Sequence, residues 1–575
     1  MIFSFRSFLL AGAAIAGLTT PALAATDNTQ AQIEALERSV ADLNNQVQQL
    51  KNANAQTVTA SGDNSAAVAD LKRSTSDQYA DLNSQLSAAS TGINRATVGN
   101  GRLQISTPDD RFSAALRTLI QYDTAIYSQT SAAKSLPASY APGLSSGSNF
   151  RRIYLGLSGR VFGDWSYNAN FDFGGSGGTE TPGHVQSVYL EYDGLGAWAF
   201  RIGAFPPPTN IEDGTSSGDT IFLERNSPSD LQRNLAGGDG RDAVSIIYTA
   251  PTLYGAVSYT GDKVSDGAKA LAAAGATAAP TFGEQQAVVG RASWLPFAGD
   301  AFNWLIGVNG TYIIRPPNST IGGAANLSTT PGGTARNSIT LSDPPELTVD
   351  SNGYTLATTG ALSANHLTQW GVETALQWKS LYGQAGYYGF QVNRAPVAFA
   401  TTSGTQIVTP TNNNFSAWYA QASWILTGES RLYNYATGAF TPPKVEHPLD
   451  LNGGGWGAWE LALRYSDTNL NDNVLSTANV ITAASGASRT YDFYNTVRGG
   501  DQRIFTAGIN WYPNQVVRFA FNYELIQSSK LQSGSSQNAL TGITANGTAT
   551  TVPAIPTLNA GQNVSAVALR AQLSI

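Results

Sequence analysis

No cysteine occurs in this 575-residue chain, and its three histidines, His184, His366 and His447, lie far apart. Disulfides and thiolate metal sites are thereby excluded, and no histidine cluster offers a metal centre. Charge is equally sparse, with Asp, Glu, Lys and Arg together at 13% of residues. Long apolar runs are missing too. The clearest, Phe8 to Leu18, falls short of the roughly 20 residues that a membrane-spanning helix needs. Neither His366 nor His447 sits in a Ser/His/Asp arrangement, and no nucleophile-elbow glycine pattern carries a strand into a helix, so neither an enzyme nor a bound cofactor is expected.

The N-terminus reads as an export address. Arg6 precedes the apolar run, and Ala22-Leu23-Ala24 has the small-x-small form of a cleavage site, so residues 1–24 read as a secretory signal peptide. Its removal leaves 32 basic side chains against 40 acidic ones, a mildly acidic balance of -8 that argues against nucleic acid as a partner. Next, Ile33, Leu36, Val40, Leu43, Val47 and Leu50 recur at spacings of three and four and form one helical seam. The expectation is a periplasmic coiled coil over 25–56, with peptidoglycan as a partner; the alternative is a single amphipathic helix lying on a surface. From 57 to 105 the seam weakens to Val68, Leu71, Leu82 and Leu86, as in a frayed helix and linker.

Glycine and aromatic side chains are plentiful, with 58 Gly, 11 Trp and aromatics at 10%. From residue 106 onward the pattern changes from helical to strict alternation. In the last segment Ser565, Val567, Leu569, Ala571, Leu573 and Ile575 share one face, and Ala566, Ala568, Arg570, Gln572 and Ser574 the other. Segments of this kind, joined by turns that are short then long, predict a transmembrane antiparallel β-barrel in outer-membrane lipid, closed because lipid cannot satisfy an open strand edge. Upward strands are expected near 112–127, 166–173, 197–204, 254–261, 303–314, 381–391, 457–466 and 515–527. Downward strands are expected near 150–161, 185–192, 243–250, 286–295, 366–378, 414–425, 503–511 and 564–575. The total is 16, even as bacterial barrels require. Thr427 to Gly455 is too long for a periplasmic turn, so either the strand parity is off by one pair or this turn folds into the lumen.

Alternation also sorts the arginines. Ile153, Leu155, Leu157 and Val161 face lipid, which turns Arg152, Tyr154, Ser158 and Arg160 inward, and the same phase places Arg117, Arg201, Arg291, Arg464 and Arg518 in the lumen. Guanidiniums in a narrow channel lower the barrier for small anions, and their planar fork suits phosphate-like oxygens. Asp123, Asp172, Glu191, Glu373, Glu460 and Glu524 point inward by the same arithmetic, so a structural ion pair is the competing role for each arginine.

Two sets of strings resemble the phosphate-selective porin O and P family. One runs from Phe150-Arg151-Arg152 through Asp164-Trp165-Ser166-Tyr167 to Tyr189-Leu190-Glu191-Tyr192 and Gly203-Ala204-Phe205. The other comprises Thr215-Ser216-Ser217, Phe222-Leu223-Glu224-Arg225, Gly455-Trp456-Gly457-Ala458-Trp459-Glu460-Leu461, Leu463-Arg464-Tyr465-Ser466 and Asn510-Trp511-Tyr512-Pro513. The resemblance implies a homotrimeric passive anion channel of the outer membrane, whose third loop and a long periplasmic turn enter the lumen. It adds Arg151 and Arg225 to the anion-binding candidates, with Arg233 and Arg241 near the same loop. One departure stands out: where the family's phosphate-selective members carry a lysine after Thr-Ser-Ser, this chain has Gly218-Asp219. A general, weakly selective porin and an envelope tether or adhesin are the alternative functions.

Overall fold

Sixteen segments whose side chains alternate between two environments pair edge to edge in the computed structural model. It describes residues 38–42, 44–49, 74–79, 95–99, 101–130, 143–175, 183–264, 285–317, 337–350, 355–401, 404–408, 410–473, 497–530 and 561–575. The wall strands are Ser113–Gln129, Gly147–Val161, Trp165–Asp172, His184–Leu195, Trp198–Ala204, Arg241–Thr249, Leu253–Lys263 and Gln286–Phe297. The rest are Phe302–Arg315, Leu362–Trp378, Leu381–Arg394, Asn413–Ile425, Ala458–Asp472, Val497–Tyr512, Val517–Ser529 and Asn563–Ser574. Each pairs antiparallel with its neighbours, and the last pairs with the first, Val564 opposite Gln129 and Ser574 opposite Leu119, which closes the barrel. All sixteen expected strands are present, several extended by a few residues.

The two faces of the wall differ as lipid and water require. Leu155, Leu157, Val257, Val308, Leu463 and Leu569 are exposed on the outside, while Gln121, Ser245, Thr311, Gln369, Thr506 and Asn522 are buried inside. Trp165, Trp198, Trp378, Trp424 and Trp459 sit outward at the strand ends on the short-turn side, as an aromatic girdle at a membrane interface does. Rings on neighbouring strands reinforce it: Trp198 and Tyr248 are 4.8 Å apart, and Trp459 stacks on Trp511 at 5.5 Å. Such pairs each add about 0.5–1.5 kcal/mol beyond area burial.

Inserted segments narrow the lumen. Residues 205–240 carry two helices, Ile211–Gly214 and Ser227–Ala236, and the second packs Leu231 and Leu235 among Ala287, Leu367 and Tyr388 of the wall. In the 337–361 insertion, the described residues 337–350 and 355–361 bring Leu347, Val349 and Leu356 against Tyr127, Ile504 and Ile526. From the short-turn side a hairpin of Arg431–Asn434 and Ala439–Pro443 places Phe440 against Tyr382 and Ile211. Thus the long turn Thr427 to Gly455 does enter the lumen, and the strand parity stands. Gly438 makes this fit: its φ is +60°, and a Cβ there would come 2.7 Å from the Tyr254 ring.

Residues 95–106 correct the linker expectation. Arg95–Gly99 and Arg102–Ser106 form a hairpin, and its second strand pairs with the start of the first wall strand, Gln104 opposite Ala115 and Ser106 opposite Ser113. The short alternation of Leu103 and Ile105 matches this edge, which the last strand leaves open beyond Ile575. In the N-terminal segment, residues 38–42, 44–49 and 74–79 are helical and Val40 is exposed. The signal peptide 1–24 and the seam residues Ile33, Leu36, Leu43 and Leu50 lie outside the described residues.

Candidate functional site: the charged lumen

The inserted segment 205–240 is held to the wall by groups that its sequence supplies at fixed points. Asn226 caps the helix Ser227–Ala236 by accepting from the Ser229 amide at 2.8 Å, and Pro228 lies in the first turn, where its missing N–H costs nothing. Gln232 donates to Gln369 at 3.2 Å and Ser229 lies 3.1 Å from the Tyr388 hydroxyl. Glu212 accepts from Gln384 and Gln421, both buried.

Glu224 is the main anchor. It accepts from Arg151 at 2.8 Å, from Arg152 at 3.1 Å and from Arg570 at 2.8 Å. Arg570 also forks onto Asp123 at 2.7 and 2.6 Å and donates to the Leu223 carbonyl. Burial acts to raise the Glu224 carboxyl, but Arg151, Arg152 and Arg570 outweigh it and hold it well below the ordinary carboxylate range. Both paired arginines point inward because of a β-bulge: Gln121 faces Arg152 and Tyr122 faces Phe150, leaving Arg151 as the extra residue. Strict alternation accounts for Arg152 alone.

Four more expected arginines are paired with carboxylates. Arg291 meets Glu373 at 2.7 Å and donates to the carbonyls of Thr437 and Gly438 at 2.8 and 2.7 Å, fastening the periplasmic hairpin. Arg464 pairs with Glu346 of the 337–361 insertion and donates to the Glu224 carbonyl at 2.9 Å. Arg201 meets Glu191 at 2.7 Å and lies 4.2 Å over the Tyr189 ring. Arg160 is at the rim, where it pairs with Asp193 at 2.8 Å while largely in solvent.

Arg117, Arg225 and Arg518 differ. Among the described residues none of them has a carboxylate within ion-pair distance. Arg225 donates to the carbonyls of Glu212 and Thr215, both at 3.1 Å, and Arg518 to those of Thr220 and Ile221 at 2.6 and 2.7 Å. Arg117 is exposed to the lumen. Two cavities open beside them toward the short-turn side. One, of about 430 Å³, is bordered by Arg117, Arg201, Arg225 and Arg233. The other, of about 500 Å³, is bordered by Arg518, Lys444 and Gln572. Asp219 borders both. The expected single column of guanidiniums is therefore divided into a set locked by carboxylates and a set without them, of which Arg117 is exposed and Arg225 and Arg518 are buried at the cavity walls.

The sequence reading missed Arg570 and Arg431, which is paired with Glu460 at 2.7 Å. The phase of the final strand already turned Arg570 inward, whereas the strand-like turn that carries Arg431 gave no such signal. Arg233 bridges Asp213 and Asp239 at 2.5 and 2.6 Å, and Arg241 donates to the Gly237 carbonyl at 3.1 Å.

A closed barrel with an apolar belt, an aromatic girdle and a polar lumen narrowed by inserted loops is the architecture of an outer-membrane porin. The profile of phosphate-selective porin O and P matches residues 140–543. The chain belongs to that family, and its place is the bacterial outer membrane. Over 446 residues it is 24% identical to Porin O of Pseudomonas aeruginosa, covering 75% of this chain and 86% of that protein. An uncharacterized protein of Caulobacter vibrioides is 31% identical over 121 residues, 21% of this chain and 19% of its own. Among solved structures, OprB of Pseudomonas putida at high pH aligns with a TM-score of 0.41 and 8% identity, covering 81% of this chain and 95% of its own. OmpT of Vibrio cholerae in trimer form aligns with a TM-score of 0.39 and 9% identity, covering 81% and 100%.

Proposed function

We propose that this porin passes small, phosphate-like anions by passive diffusion through an arginine-lined constriction, as a channel and not an enzyme. The observation that carries this reading is the set Arg117, Arg225 and Arg518, which border the lumen cavities without a carboxylate partner among the described residues. A paired guanidinium presents little net charge to a passing ion, whereas these three keep theirs and offer weak, successive stations. Arg201, half-buried beside the same cavity, adds a donor face. Arg151, Arg152, Arg291 and Arg464 act in this reading mainly through the shape of the constriction, and Arg160 through its rim.

The weakly selective porin is supported by a specific feature, the acid Asp219 on both cavities. The homotrimer is what the family resemblance implies, and the 25–56 segment is proposed as a periplasmic extension reaching peptidoglycan. The zero-current potential of purified protein in a planar bilayer under a salt gradient, repeated with phosphate competing against chloride, tests the proposal. An anion-selective potential with conductance blocked by phosphate is expected. A cation-selective or near-zero potential without block favours the general porin, and no conductance step favours the tether.

A further inference from the structure

The turn between the two helices of the first insertion carries an acid, Asp219, with no side-chain partner among the described residues. The Asp219 amide donates to the Ser216 carbonyl at 2.8 Å, closing the turn. Its neighbours are pinned to the wall: Gln121 donates to the Ser217 carbonyl at 3.0 Å, and Gln572 to the Gly218 carbonyl at 2.8 Å. The backbone on this side is thus fixed on the first and last wall strands, and the side chain of Asp219 stands between the two cavities, bordering both.

Asp219 has no side-chain hydrogen bond or ion pair among the described residues. The other acids that border the cavity, Asp213 and Asp239, are compensated by Arg233, and nearby Glu224 and Glu460 by three arginines and by Arg431. Asp230 and Glu524 also have no side-chain partner among the described residues, but they border neither cavity. The charged groups around Asp219 are mainly cationic, with Asp213 and Asp239 of its own loop on the far side of one cavity paired to Arg233. Arg117 comes from the first wall strand, Arg518 from Val517–Ser529, Arg431 and Lys444 from the periplasmic turn, and Arg225 from its own loop. Tyr512 borders one cavity with Asp219, and Tyr154 and Tyr189 border the other.

We infer that Asp219 sets the ion selectivity of the passage, as a single negative charge at the neck where the two cavities meet. It deepens the anion-channel reading and rests on it only for the identity of the path. When ionised, Asp219 subtracts from the positive potential of the unpaired arginines and lets cations through; when neutral, it leaves that potential whole. Burial pushes its carboxyl above the ordinary aspartate range, opposed by Arg431, Arg518 and Arg117, so the switch to the neutral form comes at a milder pH than for an exposed Asp.

The test is the anion-to-cation permeability ratio from zero-current potentials of wild type, Asp219→Asn and Asp219→Glu in planar bilayers of KCl, from about pH 7 down to about pH 4. At neutral pH Asp219→Asn raises the ratio about threefold or more, the effect of removing one unit charge several ångströms from the ion path in a water-like medium. Wild type converges on Asp219→Asn as the pH falls, and Asp219→Glu stays with wild type at neutral pH. Equal ratios for wild type and Asp219→Asn at every pH, from channels that insert with normal single-channel steps, overturn the inference. A wild type without anion preference whose Asp219→Asn form gains one upholds the inference and defeats the anion reading. An anion-selective wild type unmoved by the substitution does the reverse.

Discussion

The clamp around Glu224 and the open space around Arg117 are built from the same residue type, yet they do opposite things. At the clamp, Arg151, Arg152 and Arg570 converge on one loop carboxylate and Arg570 takes Asp123 as well, all buried. Beside the cavities, among the described residues, Arg117 meets no carboxylate, and Arg225 and Arg518 meet only neutral oxygens, backbone carbonyls together with Ser217 and Asn510. The difference is compensation. A guanidinium whose charge is matched by a buried carboxylate works as mortar between loop and wall, because separating such a pair leaves an ion in a poor solvent. One bound to carbonyls is oriented but keeps its charge for the lumen. Inward phase alone does not divide the two sets; the neighbours across the lumen do.

The largest break in this contrast is Glu224→Ala, which leaves three arginines facing one another in a buried space. A loss of about 3–5 kcal/mol is expected, read from the urea midpoint of the refolded barrel. A loss under about 1 kcal/mol, the scale of exposed pairs, would falsify the clamp. The same group gives a pH dependence. Its carboxyl is depressed in the folded state, so its contribution is present above the unfolded value and is lost as pH falls through the folded one. Acid alone should loosen the 205–240 insertion only well below the ordinary carboxylate range.

Next comes Arg291→Ala. It strips Glu373 of its charged partner, leaving it the Ile211 amide and Asn309, and releases Thr437 and Gly438, at a cost again of several kcal/mol. Conductance should rise, and protease should cut the periplasmic hairpin in the variant but not in wild type. If the hairpin stays protected, Phe440 and Tyr382 suffice to hold it.

A smaller effect concerns Asp343 in the 337–361 insertion, which accepts from Gln502 at 3.1 Å and is pushed up to about 7 by burial. A raised carboxyl stabilises the docked loop below its undocked value of about 4, and that contribution is lost as pH rises through about 7. Protection of this loop, taken relative to the intrinsic base-catalysed exchange rate, should therefore fall between about pH 4 and about pH 7, and Asp343→Asn should abolish that fall. The smallest change in stability, within about 0.5 kcal/mol, belongs to Arg117→Ala. Its anion conductance should nonetheless fall about twofold, as expected when one unit charge leaves a wet path. Unchanged conductance would remove Arg117 from that path.

The wall was legible because a strand in a barrel announces itself twice, by period-two apolarity and by the turns at its ends. That logic located all sixteen strands and turned Arg152, Arg464 and Arg518 inward. It is silent on what crosses the lumen. Arg570 and Asp123 are separated by 447 positions and meet only because the barrel closes. Arg464 finds Glu346 only because a loop folds in. The bulge at Arg151 inserts one residue without altering composition, so no pattern marks it. The helix Ser227–Ala236 did leave a sign in Asn226 and Pro228, a cap and first-turn pair inside a segment otherwise read as loop.

The seam between the first and last strands also has a consequence for how the molecule is made. Ser574 and Leu119 are among the most distant partners in the chain, and the Ile575 amide and carbonyl both bond Thr118. Closing so long a loop carries a high entropic cost and places this pairing late on any route to the native barrel. Until the final residues have crossed the inner membrane, the first strand has a free edge, a template for wrong partners. The hairpin Arg95–Ser106 already occupies the lower part of that edge, at Ala115 to Ser113, and it leaves the ribosome before the strand it protects. It can shield part of the edge while the remaining strands are synthesised, leaving the place of the last strand open.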